Sequence, residues 1–155
     1  EKLEIKNAGL GMISDRKFGS GLEIYSDYAH HPTEIKATLA ALKEKYPGQK
    51  IICVFEPHQQ DRLTRLFKEF TLAFKNSDIT ILMPIYKVAG RESGGKKLKD
   101  SFALAQEISK HRKNVFYAPD FEAMLKLLQS HADRQAVLVF MGAGDLDSQV
   151  REFLL

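Results

Sequence analysis

Four short clusters hold many of the side chains in this chain that could bind or titrate. Ser26-Asp27-Tyr28-Ala29-His30-His31-Pro32 sets an acid, a phenol and two adjacent imidazoles before a proline. Glu56-Pro57-His58-Gln59-Gln60-Asp61-Arg62 adds a second acid, a third imidazole and a guanidinium. Pro84–Glu92 (PIYKVAGRE) and Met141-Gly142-Ala143-Gly144-Asp145 follow. Groups of these types suit acid–base work, metal ligation or the binding of a carboxylate or phosphate.

Helix initiation explains only part of the first cluster. Pro32 suits a first helical position, which leaves His31 as the capping residue and Glu34 in the first turn. Asp27, Tyr28 and His30 are not accounted for by capping and stand as candidate site residues. A zinc centre built from His30, His31 and His58 is disfavoured, because adjacent histidines rarely both reach one ion and no cysteine is placed to complete a tetrahedron. In the second cluster Pro57 ends a strand and Asp61 is placed to cap the next helix. Arg62 then lies in that helix's first turn, where with His58 it would attract an anion.

Two glycine motifs are weaker. Gly90–Lys97 nearly spells a phosphate loop, but Lys97 occupies the position of the magnesium-binding hydroxyl and Pro84–Ala89 separates the glycine from its strand, so the match is set aside. Met141–Asp145 has two glycines of a dinucleotide fingerprint, with Asp147 where the third would fall; it reads as a tight strand-to-helix turn near a ligand.

The elements that must position these clusters alternate. Short apolar runs at Leu22–Ser26, Ile51–Phe55, Ile79–Met83, Val115–Tyr117 and Ala136–Phe140 predict strands, several of them buried on both faces. Between them helical stripes recur: Ile35, Leu39, Leu42 and Tyr46, closed by Pro47-Gly48; Leu63, Phe67, Phe70 and Phe74; Phe102, Ala105 and Ile108; Phe121, Leu125 and Leu128; and finally Leu146, Val150 and Phe153. All are expected to face the core. The pattern predicts an α/β fold, a three-layer Rossmann-like open, mostly parallel twisted sheet with helices on both faces. Ligands bind such sheets at the carboxyl ends of the strands, which is where the polar clusters fall. Residues 1–21 are expected to be a linker or N-terminal extension able to form a β-hairpin, and residues 22–155 the domain. Gly90–Lys99 is the one long stretch expected to be flexible.

Composition narrows the function. With 155 residues, 44% of them hydrophobic, the chain can bury one ordinary core without disulfides or structural metal. Its 23 basic and 20 acidic residues leave a net charge of +3 with no basic block, which argues against nucleic acid or an anionic membrane as the main partner. The single cysteine, Cys53, lies in an apolar run and is expected in the core; one cysteine precludes an internal disulfide and suits a cytoplasmic protein. No apolar stretch approaches the roughly 20 residues of a membrane span, and no signal-peptide pattern opens the chain. The first residue is not methionine, so the chain is expected to be a piece of something longer.

Taken in order and spacing, DYAHHPTEIKATLAAL, VFEPHQQDRLTRLF, PIYKVAGRE and FMGAGD resemble the C-terminal domain of the Mur ligases over about residues 22–155. A His-His-Pro turn also occurs in the muropeptide-recycling branch, whose second strand is followed by Pro-Arg-Ser-Asn. Here Pro57-His58-Gln59-Gln60 favours the branch that adds L-alanine to UDP-N-acetylmuramate.

The resemblance implies a three-domain cytoplasmic enzyme of peptidoglycan synthesis. Its N-terminal domain would hold the UDP-sugar and its central domain, with a phosphate loop, ATP and magnesium. The C-terminal domain would close over both with the amino acid. ATP would phosphorylate the muramate carboxylate, and the alanine amine would attack the acyl phosphate to give an amide, phosphate and ADP. Carried over by position, Asp27 matches the family acid that hydrogen-bonds the ATP ribose, and Tyr28 lies beside the nucleotide. His30 and Arg62 match positions lining the amino-acid site, with Arg62 paired to the alanine carboxylate and His58 in the same wall. Gln59 stands where many members carry arginine, so carboxylate binding falls to Arg62. The family's Arg-Arg-Phe segment before the first strand is not recognisable; Arg16-Lys17-Phe18 is too close to Leu22. Lacking the phosphate loop, the chain alone is expected not to ligate. The alternatives are a domain of the muropeptide-recycling branch and a stand-alone nucleotide-binding or regulatory module using the same edge.

Overall fold

The computed structural model describes residues 11–13, 22–87 and 98–154, the first of these through the backbone only. Arg16-Lys17-Phe18, the Gly90–Lys97 stretch and most of the 1–21 extension lie outside the described residues.

Five strands run parallel: β2 (Glu23–Asp27), β3 (Ile51–Phe55), β4 (Ile79–Leu82), β5 (Val115–Tyr117) and β6 (Val137–Met141). A short β1 (Gly11–Ile13) pairs antiparallel with β2, giving the order β1-β2-β6-β3-β4-β5. The extension ahead of residue 22 thus supplies an edge strand to the same sheet. The five parallel strands fall within about one residue of the expected positions. β3, β4 and β6 are buried at every residue, as strands covered on both faces must be.

The helices are α1 (Pro32–Lys45), α2 (Gln60–Arg65), α3 (Phe67–Ala73), α4 (Ser101–Ser109), α5 (Phe121–His131) and α6 (Leu146–Leu154). Strand residues alternate between two cores. Tyr25, Cys53, Phe55, Val139 and Met141 pack with Ile35 and Leu39 of α1, Leu63 of α2, Phe70 of α3 and Leu104 of α4. Ile24, Ile52, Val54, Leu138 and Phe140 pack on the opposite face with Met124 and Leu128 of α5 and Leu146 and Val150 of α6. Each such buried side chain is worth about 1.5–3 kcal/mol against exposure, so both helical layers are held firmly to the sheet.

The two layers follow from chain direction. From β2 through β5 the chain steps one way across the sheet with its connecting helices on one face. It returns from β5 to β6 by α5 on the other, because a right-handed crossover that reverses direction must change face. β6 thereby enters between β2 and β3, and α6 leaves it on the face opposite α1 and α2. The carboxyl end of β6 is a switch point, where the chains departing from neighbouring strands leave on opposite faces of the sheet.

Four stripes differ from expectation. Phe102 is 51% exposed, and the fully buried Leu104 takes its place beside Ala105 and Ile108. The stripe Leu63–Phe74 is two short helices, broken at Leu66 (φ −104°, ψ 22°), with Phe67 only partly buried. In α5 the buried positions are Met124 and Leu128, with Phe121 and Leu125 at the margin, and Leu154 is buried more deeply than Phe153 in α6. A stripe read at three- or four-residue spacing fixes a face to within one residue, and the apolar neighbour with the better packing partner takes the core position.

Candidate functional site

The strand register brings the polar clusters to one line. Asp27 pairs with Met141, Met141 with Phe55, and Phe55 with Leu82. Backbone hydrogen bonds continue beyond the strands: Gly142 N–H to Asp27 O (3.1 Å), Glu56 N–H to Met141 O (2.9 Å), Met83 N–H to Phe55 O (2.9 Å) and Tyr86 N–H to Pro57 O (2.8 Å). The turns after β2, β3, β4 and β6 are therefore fixed relative to one another.

The first turn is built as its residue types demand. His31 has extended backbone and its Nδ1 accepts from Thr33 N–H (3.2 Å), with Pro32 the first helical residue. This is the capping role expected of His31. Asp27 is 7% exposed: Oδ1 accepts from Ala29 N–H (3.1 Å) and Oδ2 from the Thr38 hydroxyl (2.5 Å). The carboxylate fastens the turn to α1 while using two of its roughly four acceptor positions. Tyr28 is 61% exposed and meets the His30 ring edge-on, 5.6 Å between centroids. His30 donates from Nδ1 to the Tyr28 carbonyl (2.9 Å), which in the neutral ring leaves Nε2 as an acceptor.

The second turn departs from expectation at Asp61. The cap position is Gln59, which makes no side-chain cap bond, and α2 begins at Gln60. Asp61 lies inside the first turn and accepts from Arg65 Nε (3.2 Å). Its charge there complements the exposed N–H groups without capping them. The turn is sharp: Gln59 adopts φ 74°, ψ 105°, a sparsely populated region for a residue with a side chain. Arg62 occupies the third helical position, and its Nη1 is buried with no hydrogen-bond partner among the described residues. A helix of six residues contributes little dipole, so the guanidinium itself is the anion-attracting group. The His58 ring stacks on Tyr86 (5.5 Å, 14°), and the two residues form a parallel bridge.

Glu56, to which the sequence reading assigned no role, lies between these turns. It is 8% exposed, and Oε1 accepts from Leu146 N–H at the start of α6 (3.4 Å). Burial pushes its carboxyl above the usual range; the Leu146 N–H opposes this and the Asp145 charge adds to it. A Cβ on Gly144 would lie 2.3 Å from Oε1 and 2.6 Å from Tyr86 Cγ, and one on Gly142 (φ 155°) would lie 2.9 Å from Glu56 O. Both glycines are needed for this close approach. The aspartate where a fingerprint's third glycine would fall also has a partner: Asp147 accepts from Ser26 Oγ (2.5 Å) and from Arg151 Nε, pinning α6 to β2. The clue in sequence was a glutamate ending an apolar run three strands before a Gly-x-Gly turn, but only the strand order shows that they touch.

Among the described residues no three His, Cys, Asp or Glu side chains lie close enough to hold a metal ion. No helix there is long and apolar enough to cross a membrane.

An open, mostly parallel sheet with helices on both faces and polar turns gathered at the ends of β2, β6 and β3 defines an α/β domain of the doubly wound class. Residues 13–144 match the family described as "Mur ligase, glutamate ligase domain", and the chain belongs to that family. It is 38% identical over 128 residues to a UDP-N-acetylmuramate–L-alanine ligase of Desulforapulum autotrophicum, covering 82% of this chain and 27% of that protein. The corresponding ligase of Clostridium kluyveri is 42% identical over 135 residues, 87% of this chain and 28% of the relative. The chain thus spans little more than a quarter of the length of these relatives. Among solved structures, the UDP-N-acetylmuramate-alanine ligase of Thermotoga maritima shares the fold, with TM-score 0.65 and 22% identity over 85% of this chain and 26% of that one.

Proposed function

We propose that this chain is the C-terminal domain of an ATP-dependent ligase that joins L-alanine to UDP-N-acetylmuramate through an acyl phosphate, and that it supplies the amino-acid site and part of the ATP site. The observation that carries this reading is Arg62, a guanidinium with a buried nitrogen that has no partner among the described residues, at the strand-end edge of a fold whose relatives bear that name. A buried N–H without an acceptor costs about 1–3 kcal/mol, and a bound carboxylate would supply the acceptor. His58, held by its Tyr86 stack, and His30, held by its bond to the Tyr28 carbonyl, would form the walls of the same site.

Tyr28 and Asp27 fit a nucleotide's sugar and base. Tyr28 offers an exposed ring, and Asp27 keeps unused acceptor positions on a carboxylate that its own turn holds still. ATP when bound would activate the muramate carboxylate by phosphorylation; this chain's residues would position and exclude water, with no general base assigned among them. Magnesium would be held mainly by the central domain of the same enzyme, together with the ATP phosphates. UDP-N-acetylmuramate would likewise be held by the N-terminal domain.

The test uses the full-length enzyme. Arg62→Ala should raise the apparent KM for alanine by roughly tenfold or more, as loss of a charge-assisted bond predicts, and change that for ATP far less. An unchanged alanine KM would refute the assignment. This chain alone should not ligate; turnover by it would show that the missing domains are dispensable.

A further inference from the structure

Glu56 is a buried acid that the proposed chemistry does not use. Among the described residues no lysine or arginine forms an ion pair with it. Its backbone continues the β3–β6 pairing through Met141 O, and its carbonyl lies against Gly142, whose N–H is bonded to Asp27 of β2. Its carboxylate reaches the first turn of α6 at Leu146 N–H and fills the space where Gly144 lacks a side chain. Near the same point lies the ring of Tyr86, which stacks on His58. One residue therefore touches the turn that faces Asp27 and shares with the ring that backs His58 the space beside Gly144.

We propose that Glu56 is a positioning residue for both halves of this edge. Lodged between Gly144, Tyr86 and α6, it sets where the β6–α6 turn stands relative to the nucleotide side and where the His58 wall stands relative to the amino-acid side. Removing its side chain empties the space beside Gly144 that Tyr86 also borders and leaves the α6 start without this acceptor, and both walls move. A shift on the scale of 1 Å in such walls is enough to weaken substrate positioning by one to two orders of magnitude.

The proposal rests on the ligase reading, and the experiment separates the two. In the full-length ligase, Glu56→Ala should raise the KM for alanine and that for ATP by about tenfold each, with kcat less affected. Glu56→Gln has nearly the same volume and keeps an oxygen for Leu146 N–H, and should restore both to within about threefold. Glu56→Asp, which withdraws the carboxylate by one methylene, should behave like the alanine variant and serves if that variant does not fold. If Glu56→Ala or Glu56→Asp lowers the melting temperature while both KM values stay at wild type, the role is merely structural and the proposal is overturned. If the wild-type enzyme does not ligate alanine, the ligase reading fails, and the proposal is then decided by NMR on this chain. Glu56→Ala should shift the resonances of Gly142, Gly144, Leu146, Tyr86 and His58 together while Glu56→Gln leaves them nearly in place. Changes confined to residues 55–57 would overturn it.

Discussion

Thr38 Oγ1 donates a 2.5 Å hydrogen bond to Asp27 Oδ2, joining the end of β2 to the second turn of α1 beneath the ligand edge. The same carboxylate holds Ala29 N–H with its other oxygen, and Thr38 is only 1% exposed. The acid expected to face nucleotide is thus first a structural clasp.

That clasp predicts a stability cost apart from any effect on ATP. Asp27→Ala removes the acceptor of two buried donors and should destabilise this chain by about 2–4 kcal/mol in urea unfolding. Thr38→Val removes one donor and should cost less. If the pair interacts as drawn, the double variant should lose less than the sum of the singles, by about 1 kcal/mol or more. Strict additivity would show that the bond contributes little.

Arg62 should behave in the opposite sense. Its buried nitrogen, without a partner among the described residues, is a cost to the folded chain that a ligand would offset. Arg62→Met keeps the apolar stem and discards the charge, so unfolding of this chain alone should show stability unchanged or raised by up to about 1 kcal/mol. Stability and affinity would then oppose each other at one residue, as at many binding sites. A loss of more than about 1 kcal/mol would mean that the guanidinium holds the fold instead.

Gly144 has no room for a methyl group, since its Cβ would come within 2.3 Å of Glu56 Oε1 and 2.6 Å of Tyr86 Cγ. Gly144→Ala should therefore cost about 1–3 kcal/mol through overpacking. Combining it with Glu56→Ala removes one of the two obstacles and should recover part of the loss, measured as coupling in the unfolding free energies. Gly144→Ala at wild-type stability would show that the turn is looser than this packing implies.

The sequence was most legible where one constraint decided the outcome. Uniformly apolar runs located β3, β4 and β6, because a strand covered on both faces tolerates little else. The fixed φ of Pro32 and the capping imidazole of His31 marked the start of α1. Legibility failed where neighbours compete. Leu104 displaced Phe102 from the core because the face of a nine-residue helix is set by what packs on it. Gln59 entered left-handed backbone and moved the start of α2 ahead of Asp61, leaving that residue no cap to make. The proposed site residues Asp27, Tyr28, His30, His58 and Arg62 stood out by type, and βα alternation was enough to place them at one edge. The contact between Glu56, Gly144 and Tyr86 was not legible, since it depends on β6 entering beside β3.

That contact also carries a pH dependence. Burial holds the Glu56 carboxyl above its ordinary value, so the folded chain binds this proton more tightly than the unfolded chain does. The stabilising contribution of the protonated form is complete below the ordinary glutamate range and is lost as pH rises through the raised folded value. Other carboxylates act in the reverse sense. Burial pushes Asp147 up, but hydrogen bonds from Arg151 and Ser26 hold its carboxyl below the usual range, so its contribution fades on acidification. Comparing wild type with Glu56→Gln across pH cancels Asp147 and leaves Glu56 alone. The stability difference should move in favour of the glutamine variant as pH rises from the ordinary glutamate range through the raised folded value, and then level off. Urea unfolding at a series of pH values measures it directly, and a difference independent of pH would show that Glu56 titrates alike in the folded and unfolded chain.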